Sequence, residues 1–168
     1  MSSSLSEVSI RIADFSLAKD ARALVQLMQE YAQDPMGGGT PIAESILAGL
    51  PQKLKAYQGA FSVIAWQGDT PIGLTNCFET LSTFKASPLI NIHDVVVSRQ
   101  SRGLGVTPKM LAMVEKVAAE RGCCKLTLEV LEGNQRAQKV YLEFGFAGYE
   151  LDEKFGKAQF WEKPLNRG

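Results

Sequence analysis

Between Val95 and Pro108 the chain reads VVVSRQSRGLGVTP, an apolar run, a basic turn, two glycines one residue apart, and then residues suited to opening a helix. The chemistry this order serves is anion binding. A helix start leaves its first N–H groups without partners and carries partial positive charge, so it accepts phosphate oxygens. Gly103 and Gly105 let the backbone come close, and Arg99, Arg102 and Lys109 add charge suited to a polyanion such as a diphosphate. Thr107 is the expected N-cap and Pro108 the expected first helical residue. Two nucleotide motifs fail here. The P-loop Lys-Ser/Thr pair is absent, and the dinucleotide fingerprint needs Gly or Ala where Pro108 stands, which disfavours a nucleotide-binding α/β protein.

A second segment, Asn134 to Phe146, reads as a short helix. Ala137, Val140, Tyr141 and Phe144 form its apolar stripe, Asn134 is placed to cap it, and Gly145 follows its end. Together the two segments resemble the GNAT superfamily of N-acetyltransferases, whose acetyl-CoA loop follows Arg/Gln-x-x-Gly-x-Gly/Ala. Arg102-Gly103-Leu104-Gly105-Val106-Thr107 matches that pattern except that Thr107 replaces the small residue. A register starting at Gln100 fits every letter, but the Arg102 register places Met110, Leu111, Val114 and Val117 on the buried stripe of the next helix. The family's Asn-x-x-Ala-x-x-x-Tyr-x-x-x-Gly-Phe helix is met by Asn134, Ala137, Tyr141, Gly145 and Phe146. The resemblance covers residues 88 to 163 well and extends weakly to the first strand and helix.

The resemblance implies acetyl transfer from acetyl-CoA to a primary amine, which needs a neutral nitrogen, a stabilised oxyanion and a proton for the departing thiolate. Tyr141 stands at the family position of the general acid. Asn134 stands where the family bonds the pantetheine region, and the backbone of Val95, Val96 and Val97 where it pairs with the pantetheine amides. His93 fills a place where some diamine-acetylating relatives carry a carboxylate, and is the candidate base, since a neutral imidazole can accept a proton. Strand alternation predicts that His93 and Asp94 point to opposite faces. Asp94 would then pair locally or orient the amine, and Glu129 is a third candidate. For the acceptor pocket the resemblance implies Tyr31 to Leu47 and Thr80 to Leu89, with Asp34 and Glu44 as anchors for a cation and Tyr31, Phe78 and Phe84 as apolar walls. A small-molecule amine is favoured over a protein N-terminus or lysine, because no acidic groove for a basic peptide is evident. The rival of a different class is a non-catalytic acyl-CoA-binding sensor or interaction module.

Positioning these groups requires an α/β fold. Hydrophobic periodicity predicts a strand at 8–12, a helix at 17–33, and helical character at 43–57 broken or kinked by Pro51. A hairpin at 60–66 and 72–79 turns at Gly68-Asp69, and a strand covers 88–97. A helix at 107–121, a strand at 125–130, the Asn134 helix, and closing strands at 147–151 and 158–162 complete the series. The arrangement is a mixed, mostly antiparallel sheet with helices on both faces, and the family's fold adds a fourth and fifth strand that splay apart.

With 168 residues, one domain over residues 1–168 is expected, and Gly37-Gly38-Gly39 reads as a mobile loop between helices. The formal net charge of zero argues against a nucleic-acid or membrane coat. Met1 to Ser6 is polar and lacks the apolar core of a leader, which predicts a cytoplasmic protein. Cys77, Cys123 and Cys124 suggest reduced thiols, and a single His with no spaced cysteines offers no metal site. Many members of the family dimerise, which leaves a homodimer open; Phe155, Phe160 and Trp161 suit such an interface or the final strand's core face.

Overall fold

The structure is a computed structural model and describes residues 7–166; the polar start Met1 to Ser6 lies outside the described residues. The chain forms two compact units, the first ending at Asn134 and the second beginning at Gln135. In the first unit the elements are β1 (Val8–Ile12), α1 (Ala18–Gln33), α2 (Glu44–Ala56), β2 (Ala60–Gln67), β3 (Thr70–Ser82), β4 (Ser87–Val97), α3 (Val106–Glu120) and β5 (Leu126–Leu128). Short 3-10 turns at Pro35–Gly37 and Arg99–Ser101 join them. The five strands lie in sequence order, antiparallel from β1 to β4 and parallel between β4 and β5.

Helices cover both faces of this sheet. On one, Leu24 and Leu27 of α1 pack in a buried cluster with Ile64, Trp66, Leu74 and Val96. On the other, the buried stripe of α3 includes Val106, Met110, Leu111, Val114 and Val117, as the Arg102 register requires. A Cβ at Gly73 of β3 would lie 2.9 Å from Met110 Sδ and 3.0 Å from Val106 Cγ1, so this glycine lets α3 seat closely on the sheet.

Three local expectations are corrected. The helix α2 runs through Pro51 without a break. Gly105, at φ 71°, caps α3, which begins at Val106, so Thr107 and Pro108 are its second and third residues. A third-position proline is accommodated because the first helical N–H groups have no internal partner. The glycine segment lies between α1 and α2 as expected; Gly37 ends the 3-10 turn Pro35–Gly37, and the Asp34 carbonyl accepts from the N–H groups of Gly37 (2.8 Å) and Gly39 (3.0 Å). Finally, β5 holds only three residues, leaving Glu129 beyond its end.

The second unit contains α4 (Gln135–Phe144). Gly145 follows it at φ 110°, and the N–H groups of Gly145 and Phe146 both reach the Tyr141 carbonyl, a helix end of the kind read from the sequence. The closing strands expected at 147–151 and 158–162 are absent among the described residues. An isolated bridge between Glu150 and Lys157 is what pairs there, and Phe160 and Trp161 lie in irregular backbone.

Candidate active site

The sheet opens where the chemistry was expected. β4 pairs with β5 only through Ile90, Asn91 and Ile92, while on its other side Asp94, Val95, Val96 and Val97 pair with Asn76, Thr75, Leu74 and Gly73 of β3. Past Ile92 one edge of β4 therefore has no strand partner among the described residues, the kind of edge to which an extended ligand can add, although the Val97 carbonyl is taken by Arg102 Nε.

This edge leads through the 3-10 turn into the glycine loop. Gly103 (φ 81°) and Gly105 (φ 71°) both occupy the left-handed region that favours glycine. The N–H groups of Gly105, Val106 and Thr107 have no acceptor within α3, and Pro108 contributes none. Leu104 is exposed on the loop and Val106 is buried beneath it. These features suit a polyanion such as a diphosphate.

Arg102 does not project freely. Its Nε donates to the Val97 carbonyl at 3.3 Å and its Nη2 to Asp34 Oδ2 at 2.7 Å. Asp34 Oδ1 in turn accepts from the Met36 N–H at 3.0 Å. The Arg102 bond, helped by that N–H, holds the Asp34 carboxyl below the usual carboxylate range. The acceptor anchor expected at Asp34 is thus already engaged.

A β-bulge reshapes the base region. Asn76 opposes Asp94 and the next residue, Cys77, opposes Ile92, so His93 is the extra residue of β4. The Asn76 Nδ2 donates to Asp94 Oδ2 at 3.0 Å and also touches Met28 Sδ of α1 at 3.3 Å. The His93 ring meets Phe78 edge-on at 5.5 Å, and Phe78 meets Tyr57, at the end of α2, at 5.6 Å. Asn76 and Phe78 are two apart on β3 and share a face. His93 and Asp94 therefore both present to the α1/α2 side, contrary to simple alternation.

Tyr31 joins this face. It is half-buried, and burial, together with the charges of Asp94 and Asp34, raises its phenol pKa, so it stays protonated as a donor. Ser62 Oγ donates to Asn76 Oδ1 at 2.7 Å, which orients the amide toward Asp94. The remaining candidates are scattered. Glu44 is exposed in the first turn of α2, Phe84 is fully exposed in the β3–β4 turn, and Glu129 is exposed after β5. In the second unit Tyr141 is buried, its ring 6.0 Å from that of Phe146; Asn134, the last residue of the first unit, directly precedes α4 in sequence.

Sequence reasoning missed Asn76, Ser62, Tyr57 and Glu30. The last accepts the Arg99 N–H at 2.8 Å and ties α1 to the start of the loop. A polar pair at matching positions of adjacent strands, Ser62 opposite Asn76, was the available signal. Among the described residues no group of three or more His, Cys, Asp or Glu could hold a metal ion, and no helix is long and apolar enough to cross a membrane.

A model of the acetyltransferase (GNAT) family matches residues 24–146. Among curated proteins, a thialysine N-epsilon-acetyltransferase of Bos taurus is 34% identical over 79 residues, 47% of this chain and 46% of that protein. The match spans about half the length of the curated relatives. Among solved structures, an aminoglycoside acetyltransferase from an uncultured soil metagenomic sample, in complex with trehalose, superposes with a TM-score of 0.76 at 15% identity, covering 94% of this chain and 97% of that one. An aminoglycoside N-acetyltransferase in complex with CoA gives 0.75 at 18% identity, covering 97% and 99%. At these identities the two structures establish the likeness of fold.

Proposed function

This chain belongs to the acetyltransferase (GNAT) family, and on that premise we propose that it moves an acetyl group from acetyl-CoA to a primary amine of a small molecule, by direct attack in a ternary complex. The observation that carries the reading is the edge of β4 that lacks a strand partner beyond Ile92, running into a glycine loop and a helix start whose first three N–H groups have no acceptor within the helix. Such an edge suits the pantetheine amides, and such a loop suits a diphosphate. The relatives named for thialysine and for aminoglycosides act on small molecules, which favours that acceptor class.

In the proposed step the amine nitrogen forms a bond to the thioester carbonyl carbon, and the carbon–sulfur bond breaks. A backbone N–H of the Val95–Val97 edge polarises the carbonyl oxygen. His93 takes the proton released by the amine, Asp94 orients that amine, and Tyr31 and Phe78 wall the pocket. Tyr141 gives its phenolic proton to the thiolate, and Asn134 holds the pantetheine region.

Release of free thiol from acetyl-CoA, measured across polyamines, amino acids, aminoglycosides and short peptides, tests this together with calorimetric CoA binding. Turnover with a small amine is the expected result. Turnover confined to peptides would identify a protein acetyltransferase, tight CoA binding without turnover a non-catalytic module, and absence of CoA binding would overturn the reading.

A further inference from the structure

The last turn of α1 grips the cofactor loop at two points, and one residue does so from the centre of the acceptor-side turn. Glu30 and Asp34 are four apart and lie on one face of the helix end. Glu30 accepts the Arg99 N–H at 2.8 Å and Asp34 accepts Arg102 Nη2 at 2.7 Å. Asp34 also ends α1, caps the 3-10 turn through its carboxylate, and anchors Gly37 and Gly39 through its carbonyl. Its side chain is 12% exposed, against 36% for Arg102.

Resting on the acetyl-CoA reading above, we infer that Asp34 is a positioning residue for the cofactor, acting through Arg102, and not an anchor for the acceptor amine. The guanidinium spends one edge, Nε and Nη2, on Val97 and Asp34. Its other edge is left in a fixed direction. A free arginine must surrender rotamer freedom to hold a phosphate, whereas a braced one has already done so. The carboxylate also weakens the local positive field, an opposing effect. Ordering prevails because Asp34 sets the path of two segments at once, while field effects near the surface are screened by water and salt.

Calorimetric titration of CoA into the full chain tests this with Asp34→Asn, Arg102→Gln and the double variant. Each single change should weaken binding about tenfold, and the pair should lose no more than Arg102→Gln alone, because the first residue acts through the second. Asp34→Glu should recover most of the affinity. In turnover, Asp34→Asn should raise the KM for acetyl-CoA and leave the acceptor KM unchanged. Unaltered or tighter CoA binding in Asp34→Asn, multiplying losses in the pair, or a rise confined to the acceptor KM would each overturn the inference while leaving the acetyltransferase reading intact. Wild-type protein that binds no CoA would overturn both.

Discussion

The half-buried Asp94 carboxylate, proposed to orient the amine, has its own orientation set by a neutral amide donor. Asn76 receives the Ser62 hydroxyl on its oxygen and gives its nitrogen to Asp94, a chain of bonds inside the sheet. Asn76→Leu leaves the Ser62 donor unpaired and Asp94 unsupported. It should destabilise the protein by about 1–3 kcal/mol and raise the acceptor KM with little change in CoA affinity, as read by denaturant melts and steady-state kinetics. Tyr141→Phe keeps the ring and removes the acid, so turnover should fall while calorimetric CoA binding stays near normal. An unchanged turnover number would reject Tyr141 as the acid. Tyr141 was singled out by its place in a dense motif, whereas Asn76 stands in no motif.

At the scale of elements, two glycines permit close approach for different reasons and should respond differently to alanine. A Cβ at Gly37 would fall 1.9 Å from the Tyr31 carbonyl oxygen, which is backbone and cannot yield. Gly37→Ala should therefore cost about 2 kcal/mol and disturb acceptor kinetics, because Tyr31 lines that face. At Gly73 the near atoms are side-chain ones, the flexible Met110 sulfur at 2.9 Å and Val106 Cγ1 at 3.0 Å, and Gly73→Ala should cost about 1 kcal/mol. Thermal melts of the two variants separate the cases, and equal losses would show that α3 yields no more readily than backbone. The elements themselves were largely legible because long periodic runs report burial directly. The bulge at His93 was not, since an extra residue leaves the local apolar pattern of Asn91 to Val97 unchanged and appears only when β3 is laid beside it.

Across the molecule, the partly buried pair of Arg11 and Asp20 ties β1 to the first turn of α1. Burial alone would raise the Asp20 pKa, but the bidentate Arg11 bonds and the Asp14 N–H hold it below the ordinary value of 3.8. The unfolded chain thus takes up this proton first as pH falls. The pair's contribution is full above the unfolded pKa and is lost as pH drops through the lower folded one. Arg11→Met should cost about 2 kcal/mol near neutral pH, less than a fully enclosed pair because Arg11 is 40% exposed, and the deficit should shrink on acidification as the stranded carboxylate protonates. Melting curves at neutral and acidic pH check the sign. Thiol reactivity is a second whole-molecule reading. Burial pushes Cys77 up to about 12, so in the folded state a thiol reagent at neutral pH should modify Cys123 and Cys124 and spare Cys77. Labelling of Cys77 before unfolding would contradict its burial.

What the chain determined by itself was whatever depends on short spans: the glycine loop, the buried stripe of α3, the Tyr141 helix with its Gly145 end, and from these the family and its sheet. Each is a local pattern whose physical reason acts within a few residues, through φ freedom, capping or a single apolar stripe. Tertiary structure alone decided which groups meet. Asp34 and Arg102 are joined across 68 positions of sequence, Asn76 and Asp94 across 18, and no local pattern records a partner that distant. The same holds for the face of His93, which depends on the register of a neighbouring strand.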